Sequence, residues 1–301
     1  MNNYYYGEIG GTTDNITPTT QRKYTVIQSL WTKPITDKAK LTNTLIITAL
    51  SLAYAHRSGY KVHMHTDSRG YELLKGFGYE KLYKTLDNIP DTVPTDLFAA
   101  GKFFAMQAEG TTGKVHIDID VFLKKPGVIE KFYKDKTVDV ICQMDEDMSF
   151  IDHNDIIQHM HVMGYPAKTR PSWHGSINTG VVGFNNTELA EKYMSNYFEA
   201  LEMYTNEKFA QYKQENKVTH LLFDFVLEQI NLSYMSVGYN VQTLVPTKNP
   251  SIVADKIGYQ HLQGSKKWTE ERLVSLKAIL KEINKRLYSV ALSKIRSLDN
   301  K

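Results

Sequence analysis

The chain has 301 residues, enough for one large domain or two small ones around a substantial core. Apolar residues make up 42% and charged residues 23%, ordinary for a soluble globular protein, and a net charge of +3 is too mild to argue for nucleic acid. A single cysteine, Cys142, excludes an intramolecular disulfide, fits a reducing compartment and is expected to act as a small core hydrophobe.

Residues 1–22 are polar and rich in Asn, Thr, Tyr and Gly, and read as an extended arm or tail. They lack a basic start followed by an apolar segment, so no signal peptide is expected. No run approaches the length of a bilayer span, and the expected address is cytoplasmic. A first strand is predicted from Tyr24 to Leu30, ending at Trp31-Thr32-Lys33-Pro34. A helix from Leu41 to Arg57 stops at Ser58-Gly59, and a second strand, Lys61 to His65, runs into Thr66-Asp67. Helices are predicted over Tyr71 to Phe77 and Asp96 to Ala108, and strands over Val115 to Leu123 and Val138 to Gln143. Residues 145–176 look irregular, and a loop of that length is usually functional. A strand with Gly near its start follows, Asn178 to Asn185, then helices over Glu188 to Asn206 and Thr219 to Leu232. The last segment, Thr269 to Leu298, has apolar residues at near-helical spacing. Strand-helix alternation at these intervals predicts an α/β fold with a largely parallel sheet.

The most informative stretch is Val115-His-Ile-Asp118-Ile-Asp120-Val-Phe-Leu123. In an unbroken strand, alternation sends Asp118 and Asp120 to one face, where two carboxylates repel and call for a counter-charge. A divalent cation is the natural candidate. A second Asp-x-Asp, Asp145-Glu146-Asp147, follows its apolar run and is expected to be an exposed acidic turn. Further on, His261-Leu-Gln-Gly264-Ser-Lys266-Lys267-Trp268 places an imidazole that can complete a metal site beside lysines that can neutralise phosphates.

With these residues the chain resembles a nucleotide-sugar glycosyltransferase of the GT-A fold. It is most similar to the retaining family that includes glycogenin and the bacterial lipopolysaccharide galactosyltransferases. The Asp118-Ile119-Asp120 pair corresponds to that family's metal motif, and Asn178-Thr179-Gly180-Val181 to its Asn-x-Gly-Val strand. Lys102, sixteen residues before Asp118, stands where the family carries a donor-contacting lysine. His261, Gly264 and Lys267 echo its His-Phe-x-Gly-x-x-Lys-Pro-Trp pattern. Two positions depart from that pattern: Leu262 replaces the Phe, and the Pro is missing, so that Lys266 and Lys267 both qualify as phosphate ligand. The family's Asp-Gln-Asp near the sugar is represented by Glu228-Gln229-Ile230. The phrase Ser29-Leu-Trp31-Thr-Lys-Pro34 is similar to bacterial relatives in polysaccharide synthesis.

The resemblance implies a single Rossmann-like GT-A domain with a mostly parallel mixed sheet (23–268), flanked by the arm (1–22) and the C-terminal amphipathic helix (269–301) read from composition and periodicity. It implies transfer of a sugar from a nucleoside diphosphate, UDP above all, to a glycan, lipid-linked or protein acceptor, with retention. Asp118, Asp120 and His261 would hold Mn²⁺ or Mg²⁺, the mixed ligand set favouring Mn²⁺. Lys102, Asn178, Gly180, Gly264, Lys266 and Lys267 would contact the donor, Trp31 and Asp67 the base, and Gln229 the sugar. Catalysis would rest on Asp118, Asp120, Gln229 and Lys267, and residues 145–176 would face the acceptor. The basic final helix suits an anionic membrane surface, packing on the catalytic domain, or another subunit. Two rival readings stay open. A haloacid-dehalogenase-like phosphatase also uses Asp-x-Asp after an apolar strand, although it wants Thr or Val where Phe122 stands. The other is a non-catalytic sugar- or nucleotide-binding module on the same scaffold.

Overall fold

The strand-helix alternation builds an α/β fold. The computed structural model describes residues 24–147, 175–205, 224–246, 250–262 and 269–298. Strands β1 (Tyr24–Leu30), β2 (Tyr60–Thr66), β3 (Lys81–Tyr83), β4 (Lys114–Ile117), β6 (Val140–Asp147), β7 (Gly175–Phe184) and β8 (Val241–Thr243) form a seven-stranded sheet in the order β3-β2-β1-β4-β7-β6-β8. Pairing is parallel except where β7 runs antiparallel to both β4 and β6. The mostly parallel mixed sheet expected from the sequence is therefore present. Strands β5 (Val121–Leu123) and β9 (Tyr259–His261) make a separate antiparallel pair.

Helix α1 (Lys38–Arg57) is capped by Asp37, whose carboxylate accepts the Lys40 N–H at 2.5 Å. It ends at Gly59, whose φ of +85° turns the chain straight into β2. Polar residues that would face water on a surface helix, such as Thr48 and Ser51, are buried in α1. The reason is double coverage. One side of α1 packs on β2 and β5, the other on α8 (Glu270–Ile283) and α9 (Lys285–Ser297). Those two helices bury Leu276, Leu280, Leu287 and Ala291 in the same core as Leu45, Leu52 and Val62. The single C-terminal helix expected from periodicity is thus two, broken at Asn284, whose extended backbone lets its side chain cap α9 through the Leu287 N–H.

The opposite face of the sheet carries a second core. Helices α3 (Ala100–Glu109), α5 (Thr187–Thr205) and α6 (Asn231–Met235) supply Phe103, Tyr193, Tyr197 and Leu232, with Phe103 and Tyr197 stacked at 3.5 Å. Cys142 lies fully buried there, as expected. Helices α2 (Ser68–Leu74), α4 (Glu130–Lys134) and α7 (Pro250–Ile257) complete the described α-helices. The second Asp-x-Asp is not a turn: β6 continues through Asp147, with Asp145 exposed and paired to Ile177. Among the described residues no helix is long and apolar enough to cross a membrane.

Under β2 a buried polar cluster sets an acid limit on stability. His65, 2% exposed, stacks on Tyr83 and lies 3.3 Å from Glu109, which also meets His63 at 2.9 Å and Lys114 at 2.7 Å. Burial pushes His65 down to about 4, although Glu109 pulls the other way. A histidine whose folded value lies below its free value near 6.5 binds more protons unfolded. Its contribution is present above that free value and is lost as pH falls through the folded one. Glu109 acts in the same direction at lower pH. Burial raises it, but hydrogen bonds from Lys114 and His63 hold it at about 2. Stability is therefore expected to fall between pH 6.5 and 4, with His65 contributing on the order of 3 kcal/mol across that window. Urea unfolding of His65→Gln over this range should give a visibly shallower slope than wild type, and parallel curves would exclude this origin.

Candidate metal centre

Asp118, Asp120, His261 and the residues around them gather at one edge of the sheet, beyond the carboxyl ends of β1, β2, β4 and β6, where open α/β folds place ligands. The antiparallel β7 brings its Asn178-Thr179-Gly180 segment to the same edge, because Ile117 at the end of β4 pairs with Val181.

The strand carrying the aspartates does not run through them. β4 ends at Ile117, residues 119–120 form a turn closed by the Val121 N–H on the Asp118 carbonyl at 3.0 Å, and β5 leaves in the other, small sheet. Simple alternation therefore does not explain their shared orientation; the turn does. One ligand atom from each of Asp118, Asp120 and His261 lies within 4.8 Å of the others, so the cluster could hold a metal ion. His261 reaches it because β9 pairs with β5, setting His261 opposite Val121, and the Leu262 N–H bonds the Asp120 carbonyl at 2.9 Å. Its Nε2 is 3.2 Å from Asp120 Oδ1.

Behind Asp118 lies a buried ion network. Lys102, on the first turn of α3 and 5% exposed, places its Nζ 3.0 Å from Asp118 Oδ1, donates to the Thr179 carbonyl at 2.8 Å and bonds Glu228. Thr179 Oγ1 also donates to Glu228, at 2.6 Å. Burial opposes the charge on Lys102, but Asp118 and Glu228 outweigh it and hold the ammonium above its usual range. Burial raises Asp118, as do Asp120 and Glu228, against the pull of Lys102 and His261. Three carboxylates (Asp118, Asp120, Glu228) against one ammonium leave a net charge of −2 with His261 neutral. A divalent cation balances that charge, and the oxygen-plus-imidazole donor set fits Mn²⁺ or Mg²⁺.

The other expected residues fall in distinct places. Gln229 follows Glu228 within a π-helical turn, Val226–Ile230, a local widening often found at functional sites, and its Oε1 accepts from Ser176 Oγ at 3.0 Å. Asn178 Oδ1 accepts the Gly180 N–H at 2.8 Å, and the Gly180 carbonyl accepts the Asp118 N–H at 2.9 Å. Asp67 has both oxygens engaged. Oδ2 accepts the Thr32 and Lys33 N–H groups, while Oδ1 accepts Thr32 Oγ1 and the Gly70 N–H. It thus ties the loop after β1 to the start of α2. Trp31, 8% exposed, packs in the second core among Leu86, Ala100 and Phe103. Gly264, Lys266 and Lys267 lie outside the described residues, as do residues 148–174 of the expected acceptor-facing loop.

Sequence reading missed Gln143, which bonds His261, and Thr179, which links Lys102 to Glu228. A polar residue closing the apolar run Val138 to Cys142 is a signal for the former, but its partner lies 118 positions away.

The model of a family of unknown function, DUF6734, matches residues 24–293, and the chain belongs to that family. No curated protein matches it. Among solved structures it is similar to the galactosyltransferase LgtC in complex with donor and acceptor sugar analogs, at 12% identity and TM-score 0.41, over 84% of this chain and 94% of that one. It is also similar to the glycosyltransferase GlyE of Streptococcus pneumoniae TIGR4, at 12% identity and TM-score 0.41, over 93% of this chain and 64% of that one. A third is mouse xyloside xylosyltransferase 1 in its apo form, at 11% identity and TM-score 0.37, over 74% and 85% of the two chains.

Proposed function

We propose that this member of the DUF6734 family is a metal-dependent glycosyltransferase of the GT-A type, taking its sugar from a nucleoside diphosphate, UDP in the first instance. The observation that carries the reading is the convergence of Asp118, Asp120 and His261 at the carboxyl edge of the sheet. The ordered set of motifs from Tyr24 to Trp268 supports it. In this reading 1–22 is an arm, 23–268 the transferase domain and 269–301 an extension whose described helices, α8 and α9, pack on α1.

Bound there, Mn²⁺ or Mg²⁺ supplies positive charge for the diphosphate as it departs. The chain's own residues prepare that place. Asp120 and His261 present ligand atoms from a turn and a strand end, both fixed by backbone hydrogen bonds, so little reorganisation accompanies binding. Lys102 spans Asp118 and Glu228, which ties the metal side of the site to the helix that presents Gln229 to the sugar. Asn178 and Gly180 hold the edge of the donor site, and Asp67 shapes the Thr32–Lys33 loop against the base. Lys266 and Lys267 are assigned to the phosphates, and retention of configuration to the Gln229 side. The acceptor is a glycan, a lipid-linked saccharide or a protein.

Calorimetry with UDP in the presence and absence of Mn²⁺ tests the proposal. Binding that requires the metal is expected, with ADP and GDP weaker. Absence of any metal-dependent nucleotide binding by the folded protein would remove the reading.

A further inference from the structure

We infer that Gln143 is a positioning residue: it fixes the ring orientation and tautomer of His261 so that Nε2 is the atom offered to a divalent cation. The inference rests on the metal-dependent reading above and concerns a residue to which neither the motifs nor the comparisons assign a role.

Three independent features converge on it. The first is the bond itself. Gln143 is 4% exposed, and its Oε1 lies 2.7 Å from His261 Nδ1. A carbonyl oxygen only accepts, so the proton sits on Nδ1 and the lone pair on Nε2, which faces Asp120 at 3.2 Å.

The second is the irregularity in the β6–β7 pairing at this residue. Cys142 pairs with Val182 but Met144 pairs with Asn178, so Thr179, Gly180 and Val181 of β7 stand opposite the single residue Gln143. Ile141 and Met144 consequently both face the first core, three positions apart, which strict alternation forbids. Such a bulge re-aims one side chain and is common beside active sites. Here it falls at Gln143, which reaches His261 from the face it shares with Ile141, while Met144 is the side chain the irregularity moves.

The third is the slot the bond occupies. A Cβ on Gly180 would stand 2.5 Å from Gln143 Oε1, 2.7 Å from His261 Cε1 and 2.9 Å from His261 Nδ1. Glycine at 180 is therefore needed for space, and the residue it makes room for is the Gln143–His261 pair. With its backbone fixed by the β5–β9 pairing and its Nδ1 by Gln143, the imidazole keeps one open nitrogen. Partners of this kind, donating to or accepting from the far side of a ligating imidazole, are typically worth 10–100-fold in metal affinity.

The test is Mn²⁺ affinity of the full chain, followed by the electron paramagnetic resonance of free Mn²⁺, for wild type, Gln143→Met and Gln143→Glu. Methionine keeps the length and volume but cannot accept the Nδ1–H; glutamate keeps the acceptor. Gln143→Met is expected to weaken Mn²⁺ binding about 10–100-fold, and Gln143→Glu to bind within a few-fold of wild type or tighter. Nitrogen-15 spectra of the Zn²⁺-loaded proteins should show a protonated Nδ1 on His261 in wild type and Gln143→Glu, and a broadened or mixed signal in Gln143→Met. Equal affinity of wild type and Gln143→Met overturns the inference while leaving the metal reading intact. A folded Gln143→Glu protein that binds ten-fold weaker overturns it too, even if the methionine variant does not fold. Wild type without any Mn²⁺ affinity sinks the metal reading, and this inference with it.

Discussion

Asp120→Asn is expected to raise the dissociation constant for Mn²⁺ at least 100-fold and to abolish metal-dependent UDP binding, while the metal-free protein melts within a few degrees of wild type. The two halves of this expectation have opposite electrostatic origins. Without metal, Asp120 is one of two carboxylates held close together in a mostly buried setting: it is 7% exposed, and its charge pushes Asp118 upward. Neutralising it relieves that repulsion, and the asparagine amide can donate to His261 Nε2, which lies 3.2 Å from Asp120 Oδ1 in the wild type, so the metal-free fold is not expected to suffer. With metal, the same change removes a full negative charge from the ligand set. A loss of about 2.8 kcal/mol already corresponds to 100-fold in affinity. Thermal melting separates the halves cleanly. At 100 times its dissociation constant, Mn²⁺ should stabilise the wild type by about 2.7 kcal/mol, a shift of a few degrees, and should leave Asp120→Asn unmoved. An equal upward shift in both proteins would show that Mn²⁺ binds elsewhere.

Much of the scaffold was legible because it is written in local patterns. The apolar run of β1, the stop at Ser58-Gly59 and the long amphipathic stretch over Thr187–Thr205 each follow from periodicity or capping, and each was found within a few residues. Short strands were not legible. β3, β8 and β9 are three residues each, too few for alternation to register, and they exist because a neighbouring strand offers hydrogen bonds. The break after Ile117 escaped for a related reason: Asp118-Ile-Asp120 has strand composition, and only the departure of β5 to a second sheet makes it a turn. At the site, residue types were readable but pairings were not. Lys102 meets Glu228 across 126 positions, and Gln143 meets His261 across 118. Both contacts depend on β7, whose bulge and whose Thr179 and Gly180 join the two halves of the edge. The basic character of the C-terminal segment was also visible. That its apolar stripe is spent on α1, through Leu276, Leu280, Leu287 and Ala291, follows only from the packing.

The largest loss of stability is expected at Lys102. Its side chain is 6% exposed and carries the cation between Asp118 and Glu228, whose side chain is 4% exposed. Lys102→Met keeps most of the aliphatic stem and removes the charge. Glu228 then keeps Thr179 Oγ1 as its side-chain donor among the described residues, and Asp118 faces Asp120 without the ammonium. Breaking one partner of such a pair typically costs about 3–5 kcal/mol, because the stranded charge must be desolvated without compensation. Glu228→Gln should cost less: the amide still accepts from Thr179 Oγ1, and Lys102 retains Asp118 at 3.0 Å. The double variant Lys102→Met, Glu228→Gln is the informative one. If the penalty in Lys102→Met arises from the stranded carboxylate, neutralising Glu228 must recover part of it. The double variant should then unfold at a higher urea concentration than Lys102→Met alone, a coupling of roughly 0.5–3 kcal/mol. Strict additivity of the two single losses would mean that Lys102 stabilises the fold by packing alone. Mn²⁺ supplies a further readout. Because the cation also faces Asp118, saturating metal should restore more stability to Lys102→Met than it adds to wild type, and an identical increment in both would separate the lysine network from the metal centre.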